Sequence, residues 1–445
     1  MKFRASLILI CSAFFLSTIY QTSESFAQGT KVYTLEDSIA EALANNWSLK
    51  AKEEKLNEAA FVKDQARAEF LPKLSTSYGY TLLSKNSRIL KANIPGMGDE
   101  PIEVAAKNNY QWKGTVTQPV FTGFALKSSY ELAKLGVDQS QMELDLERLD
   151  LIFRVKEAYY DILEADKALD VAEKAVESLE SHANTARSFY EVGMTPINDL
   201  LRSEVELGDA KQELVKAEHD ARMARSVFNT ILARPVNAPA EVDDRLVFVP
   251  ERGDFQDYLQ KAFTNRPEMK LMEINILQSE QQIRLAKSKY YPEVSLQYDY
   301  IKAGDTPNVS GSEFHEASSW EAAAVCSWTF WEWGKTHYAV KEKESIRKQL
   351  TKIKEDLENK IRLELKRALL VLEAAEKNIP TTKKAVEQGE ENLRVNEERY
   401  RAQVTTSTEV LDAQRLLSQA RMNYYHALYA HYMAKAGLQW AIGSY

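Results

Sequence analysis

Hydrophobic positions along the chain follow two different periods, and each period predicts a different kind of element. Four long stretches carry sparse apolar residues every three or four positions, which is typical of helices with one narrow apolar face. These stretches are residues 124–190, 196–232, 334–400 and 406–442. At about 1.5 Å per residue the longest spans on the order of 100 Å, too long for a globular domain, and it suits a helical tube filled with water. Pro380 lies within the third stretch and predicts a break there.

Alternating positions predict strands just before each pair of long helices. In residues 74–82 and 294–300 every second side chain is apolar or aromatic. The return stretches, which begin near Tyr110 and Trp320, alternate in the same way. Two interpretations follow: an ordinary sheet covered by helices, or membrane strands bordered by aromatic belts.

The chain contains the same plan twice. Residues 35–80 align with 255–300 without a gap, and further along Tyr190 aligns with Tyr400. We therefore predict two structural repeats joined by a proline-containing linker. The predicted divisions are a first repeat at 28–233 with a strand hairpin at about 73–121, a linker at 234–254, and a second repeat at 255–445 with a hairpin at about 293–331.

Composition and the N-terminus favour the membrane interpretation of the strands over the ordinary covered sheet. Residues 1–27 have the basic start, apolar run and small-residue end of a secretory signal peptide. Strands of about ten residues in an exported chain favour the outer membrane. An open sheet leaves costly unpaired edges in lipid, so four strands per chain predict an oligomer, and three chains would supply twelve strands. The net charge of −8 argues against binding to nucleic acid.

The stretch RSFYEVGMTPINDL (187–200) predicts a tight reversal between two long helices. Gly193 suits the left-handed residue that ends a helix, Thr195 can cap the next helix, and Pro196 suits a first helical position. The six histidines are expected to be solvated, because His426 and His431 are five residues apart and do not share the helical face that a zinc pair requires. Cys326, the one cysteine after residue 27, is expected to be a small filler on the lipid-facing side. No enzyme motif, metal site or cofactor site is predicted.

These features together resemble the TolC-like outer-membrane efflux protein family. The motifs that carry the resemblance cover the strand entries, the strand-to-helix exits and the helix reversals: LPKLSTSYGY (71–80), YPEVSLQYDY (291–300), PVFTGF (119–124), TFWEWGK (329–335), YEVGMTPINDL (190–200) and YRAQVTTSTEVLDA (400–413). The resemblance implies a mainly α chain with membrane β-strands, which forms a homotrimer. A twelve-stranded barrel would cross the outer membrane, and a long α-helical barrel would extend into the periplasm.

The resemblance also implies a function and partners. The chain would be the exit duct of a tripartite efflux or type I secretion system, passive and without a cofactor. Its partners would be a periplasmic adaptor protein, an inner-membrane transporter and the lipid of the outer membrane. The alternative is a periplasmic coiled-coil scaffold without a pore. Such a scaffold would not need the alternating aromatic strands. The transported substrate and the class of pump stay open.

By position, the resemblance implies that residues near the two helix reversals form a closed gate and that the turns themselves contact the adaptor. Tyr400 and Asp199 would hold the gate shut, and Glu409 and Asp412 would form acidic rings above it. Thr405 stands where the family has an arginine, so the charged lock is missing and an Asp199–Thr405 hydrogen bond is the most that could replace it. The resemblance places the adaptor contacts at the two turns, namely Gly193, Met194, Thr195, Pro196, Gln403 and Val404. Because Gln403 replaces a glycine, the second turn is expected to use another geometry, with Thr406 and Glu409 as a capping box.

Overall fold

The structure is a computed structural model that describes residues 32–84, 87–89, 102–245 and 248–444. The predicted signal peptide, residues 1–27, lies outside the described residues. None of the helices within the described ranges is both long enough and apolar enough to cross a membrane.

Eight helices account for most of the described chain. They are α1 (Leu35–Asn45), α2 (Trp47–Ala68), α3 (Ala125–Glu191), α4 (Ile197–Ile231), α5 (Phe255–Asn265), α6 (Pro267–Lys287), α7 (Lys335–Arg401) and α8 (Ser407–Ala441). Helices α3 and α7 each have 67 residues, while α4 and α8 each have 35. Each member of the second pair starts 210 positions after its counterpart, so the predicted two-fold repeat is confirmed.

Within the described ranges the strands form one main sheet and two small pairs. The strands are β1 (Val32–Tyr33), β2 (Lys73–Leu82), β3 (Ser87–Ile89), β4 (Ile102–Ala105), β5 (Asn108–Thr122), β6 (Glu241–Val242), β7 (Glu293–Gly304) and β8 (Ser319–Ser327). The main sheet is antiparallel in the order β2-β5-β7-β8, which gives the four long strands that the alternating pattern predicts. Its edges are therefore the first strand of the first repeat and the last strand of the second. The small pairs are β1 with β6 and β3 with β4.

The largest apolar core of the described residues lies where α1, α3, α4 and α8 meet, between the sheet and the helix reversals. Tyr159, Phe228 and Tyr429 are almost completely buried there. The hydroxyl of Tyr159 donates to the backbone oxygen of Asp243 (2.7 Å) and lies 3.2 Å from that of Tyr33, which ties the region after β6 and β1 to α3. This core thus surrounds the middle of α3 and the C-terminal ends of α4 and α8.

The break predicted at Pro380 is wrong, because α7 runs through this residue without interruption. Proline removes one backbone donor, which costs about 3 kcal/mol or more in a helix interior. Ile379 and Ala375 are buried beside it, and packing of this face offsets the lost hydrogen bond. The hydroxyl of Thr382 also donates to the backbone oxygen of Asn378 at 2.9 Å, which adds a local contact.

Candidate functional site

The two helix reversals, α3 to α4 and α7 to α8, share one backbone geometry. Gly193 has φ 75° and Gln403 has φ 62°, so both lie in the left-handed region. The Gly193 N–H donates to the Tyr190 oxygen and the Gln403 N–H to the Tyr400 oxygen, each at 2.9 Å. The expectation of a different second turn is therefore wrong. The helix pair fixes the turn, and Gln403 adopts a conformation that costs about 1–2 kcal/mol relative to glycine.

The residues after each turn do not cap the next helix as the sequence suggested. The N-cap positions are Pro196 and Thr406, and neither makes a side-chain cap hydrogen bond. The Thr195 hydroxyl is buried without a partner among the described residues. The predicted Thr195 cap and the Thr406–Glu409 capping box are thus wrong, because no first-turn amide donates to either hydroxyl.

Apolar side chains are exposed around both turns. Met194 is 54% exposed and Val404 is 64% exposed, and Val192 and Ile197 beside the first turn are also exposed. The turns therefore present an apolar surface at the end of the molecule farthest from the main sheet. Such a surface is typical of a protein-contact site when polar residues surround it.

Tyr400 lies inside the helix bundle next to the second turn. It is 3% exposed, and its ring packs 4.8 Å from the His182 ring and 5.6 Å from the Phe189 ring. Its hydroxyl has no hydrogen-bond partner among the described residues. Burial, and then the charge of Asp199, raise the pKa of the Tyr400 hydroxyl. The charge of Asp199 therefore acts on Tyr400, and the raised pKa keeps the tyrosine neutral at pH 7.

The expected hydrogen bond between Asp199 and Thr405 is not formed within the described chain. Asp199 bonds through its backbone instead: its N–H donates to the Pro196 oxygen at 3.1 Å, and its backbone oxygen accepts from the Ser203 hydroxyl at 2.8 Å. A different side chain joins the two helix pairs here: the Arg202 guanidinium donates to the Thr408 hydroxyl at 2.9 Å. An arginine is thus present at this end, supplied by α4 and not by the position that Thr405 occupies.

A buried polar cluster, which we call the tip node, connects α3, α4 and α8 beside Tyr400. It consists of His182, Ser203 and Ser407, all buried. The Nε2 atom of His182 lies 2.7 Å from the Ser407 hydroxyl, which lies 2.9 Å from the Ser203 hydroxyl. Burial lowers the pKa of His182 to about 4, and the charge of Asp199 opposes this shift. The imidazole is therefore neutral at pH 7 and bonds to the serine without a charge.

The tip node contradicts the expectation that the histidines are solvated, and so does His431. His431 is fully buried in α8, and neither of its ring nitrogens has a partner among the described residues. A signal for His182 was present in the sequence. Leu179 and Ala186, three residues before it and four after it, are apolar and buried, so position 182 belongs to the inward stripe of α3.

The acids assigned to the rings, Glu409 and Asp412, are both exposed on α8. An Asp412 carboxylate oxygen lies 3.7 Å from the Arg415 guanidinium, which reduces the field of that acid. Cys326 is exposed on β8, at the edge of the main sheet. In the described ranges no group of three or more His, Cys, Asp or Glu side chains is arranged to hold a metal ion.

Comparison with known proteins defines the class of the chain. The family model for outer membrane efflux proteins matches residues 38–232 and 258–444, one segment in each repeat. The chain therefore belongs to the outer membrane efflux protein family. It is an outer-membrane efflux channel that extends into the periplasm, and the family is one of transport channels and not of enzymes. This assignment gives no support to a scaffold without a pore.

Individual relatives agree with the family over nearly the whole chain. Nodulation protein T of Rhizobium leguminosarum bv. trifolii is 21% identical over 424 residues, which cover 92% of this chain and 85% of that protein. The CmeC outer membrane channel of Campylobacter jejuni superposes with a TM-score of 0.77 at 15% identity, covering 92% of this chain and 85% of that one. The open-state MtrE outer membrane channel of Neisseria gonorrhoeae gives 0.73 at 20% identity, covering 92% and 89%.

Proposed function

We propose that three copies of this chain form one continuous duct, which passively conducts substrates delivered by an inner-membrane pump through a periplasmic adaptor. The duct would consist of a closed twelve-stranded barrel followed by a twelve-helix tube, and it would catalyse no reaction. The observation that carries the proposal is the open four-stranded sheet with its two exposed edges, β2 and β8.

The two edge strands of the sheet can each pair with an edge strand of another copy of the chain. All ten residues of β2 are exposed, including Leu74 at 79% and Tyr80 at 50%, and nearly all of β8 is exposed as well. In lipid, each unpaired backbone group on such an edge costs several kcal/mol. Pairing β8 of one copy with β2 of the next removes every free edge when the ring closes, and three copies supply twelve strands.

The long helices have the same open arrangement as the strands. Helix α3 packs against α4 and α8, and α8 packs against α7, so α4 and α7 lie at the two ends of the row. Both end helices expose apolar side chains along their length: Leu201, Val205 and Val215 on α4, and Leu363, Leu370 and Val371 on α7. Contact between α4 of one copy and α7 of the next would cover these side chains and complete a tube.

We propose that the exposed turns receive the adaptor and that the residues beside them form the gate. Gly193, Thr195, Pro196 and Gln403 would shape the turns, while Met194 and Val404 would supply the apolar contact. Tyr400, Asp199 and Thr405 would close the lower end, and Glu409 and Asp412 would line the mouth above it. The apolar exposure at the turns and the burial of Tyr400 support these assignments.

Two measurements test the proposal. The mass of the detergent-purified particle should correspond to three chains, and a monomeric particle would contradict the duct. Efflux by cells that express the matching pump and adaptor should depend on this protein. Met194→Glu combined with Val404→Glu should abolish efflux while the trimer persists, because a charge at an apolar contact must be desolvated. Met194→Leu is the matched control and should retain efflux.

A further inference from the structure

The internal repeat fixes the register of strand pairing inside the chain. Lys73 lies opposite Thr117 in the β2–β5 pair. Their counterparts in the second repeat are Glu293, 220 positions later, and Ser327, 210 positions later, and these lie opposite each other in the β7–β8 pair. The pair Thr81 and Asn109 maps in the same way onto Ile301 and Ser319. Both hairpins therefore have one register.

The remaining pair within the sheet, β5–β7, joins the end of one repeat to the start of the next. In a closed ring, β8 would meet β2 of the neighbouring copy in the equivalent relation. Val116 lies opposite Tyr298 in β5–β7, and the counterparts of these residues are Cys326 and Tyr78. Gly114 lies opposite Tyr300, and their counterparts are Ala324 and Tyr80.

We propose that β8 of each copy pairs with β2 of the next copy in this register, with Cys326 directly opposite Tyr78 of the neighbouring chain. We call this pair of edges the subunit seam. The proposal rests on the trimeric duct of the proposed function and specifies which residues meet where two copies join.

Side-chain chemistry across the subunit seam is consistent with this register. On the apolar face, the small residues Ala324 and Cys326 would face the large rings of Tyr80 and Tyr78, so bulky and small side chains alternate across the pair. On the opposite face, Ser327 would face Ser77. A register shifted by one residue would put the tyrosines on the side of the sheet opposite to Ala324 and Cys326. Only shifts by an even number of residues keep the apolar side chains of both strands on one face.

The end of β8 gives independent support. In the first repeat, β5 continues to Thr122 because residues 118–122 pair with β7. In the second repeat, β8 stops at Ser327, and the equivalent residues 328–332 form no strand. This difference has a simple cause if the partner of residues 328–332 is β2 of another copy. The register then places Glu332 opposite Lys73 of that copy, which brings opposite charges together; within one chain Lys73 instead pairs with Glu69 at 2.5 Å.

Directed disulfide formation tests the register in the full-length protein in its native membrane. Cys326 is the one cysteine after residue 27, so each test variant adds a single partner: Tyr78→Cys, with Thr76→Cys and Tyr80→Cys as matched controls on the same face. Opposite residues in antiparallel strands have Cα atoms about 4.5–5.5 Å apart, which a disulfide spans, whereas diagonal neighbours are at about 7–8 Å, which it does not.

The expected result is loss of the monomer band and appearance of covalent dimers and trimers after oxidation of Tyr78→Cys, with little change for the two controls. Strongest cross-linking at position 76 or 80 would overturn the register and leave the trimer intact. A trimer by mass without a cross-link at any position, with all thiols open to alkylation, would show that these edges do not meet. A monomer by mass would instead refute the proposed function.

A second cysteine pair, on the face of the sheet opposite to Cys326, tests the same register if Tyr78→Cys does not assemble. Lys113 lies opposite Ile301 in β5–β7, and their counterparts are Ala323 and Thr81. The variant Cys326→Ala with Ala323→Cys and Thr81→Cys should therefore form the same covalent trimer. If it assembles as a trimer and does not cross-link, the register is wrong.

Discussion

Acidification should weaken the tip node, because the buried environment of His182 disfavours the protonated imidazole. The pKa of this histidine is lowered from 6.5 to about 4, because its ring is buried between α3, α7 and α8. If opening of the gate exposes the ring to water, its pKa returns to the ordinary value. The open form then binds a proton more readily than the closed form, so falling pH favours opening.

The pH window follows from these two values. Above pH 6.5 the imidazole is neutral in both forms, and the closed form has its full stability. Between pH 6.5 and 4 the closed form loses about 1.4 kcal/mol per pH unit and per chain. At pH 5 this amounts to about 2 kcal/mol, which corresponds to about a thirtyfold shift toward the open form in each chain.

Conductance of the purified channel in planar bilayers between pH 7.5 and 5 measures this shift. The matched variant is His182→Gln, whose side-chain amide can bond to Ser407 but does not titrate. Other charged groups line the cavity next to His182 or act on it from neighbouring helices, namely Lys174, Glu177, Asp199, Glu397 and Arg401. They are unchanged in the variant. Opening of the wild type at pH 5 but not of His182→Gln is expected, whereas equal pH responses of the two proteins would refute the role of His182.

The remaining predictions concern the turns and the mouth. Gly193→Pro should abolish efflux while the trimer still forms, because proline cannot adopt the φ of 75° at this turn; loss of the trimer, seen by mass, would contradict the separation of the turn from the barrel. Gln403→Gly should stabilise the second turn by about 1 kcal/mol, and Gly193→Gln should destabilise the first by a similar amount, both read as shifts in thermal unfolding. Replacing Glu409 and Asp412 by Ala should weaken cation selectivity in planar bilayers, because fewer negative charges would remain at the mouth; unchanged reversal potentials would place the acids outside the pore.

The sequence was informative wherever one local pattern determines the structure. The alternating residues of 74–82 and 294–300 predicted membrane strands, and the helical periods predicted four long helices, because both patterns record which side of an element is apolar. The repeat was visible for the same reason. Residues such as Tyr190 and Tyr400 recur at matching places of the two halves.

The predictions from sequence were wrong where contacts between distant parts of the chain determine a residue's conformation or burial. Gln403 looked unsuited to a glycine turn, but α7 and α8 pack together along their length and hold the turn in the left-handed conformation despite its local cost. His182 was expected to be solvated, although Leu179 and Ala186 place it on the inward stripe of α3. Its hydrogen-bond partner could not be predicted, because Ser407 is 225 residues away along the chain.

The two repeats differ at the tip node. The junction between α3 and α8 inside a chain therefore differs in polarity from the equivalent junction between α7 and α4 of neighbouring chains. The counterparts of His182, Ser203 and Ser407 in the other repeat are Asn392, Ala413 and Ile197. In the proposed trimer, the junction of α3 with α8 inside each chain is therefore polar and bonded through a histidine. The equivalent junction of α7 with α4 between chains has alanine and isoleucine at two of its three positions. A hydrogen-bonded contact depends on direction and breaks over a short displacement, whereas an apolar contact tolerates sliding. We therefore expect a proton to release the junction inside each chain, while the junction between chains would hold the ring together as the tip opens.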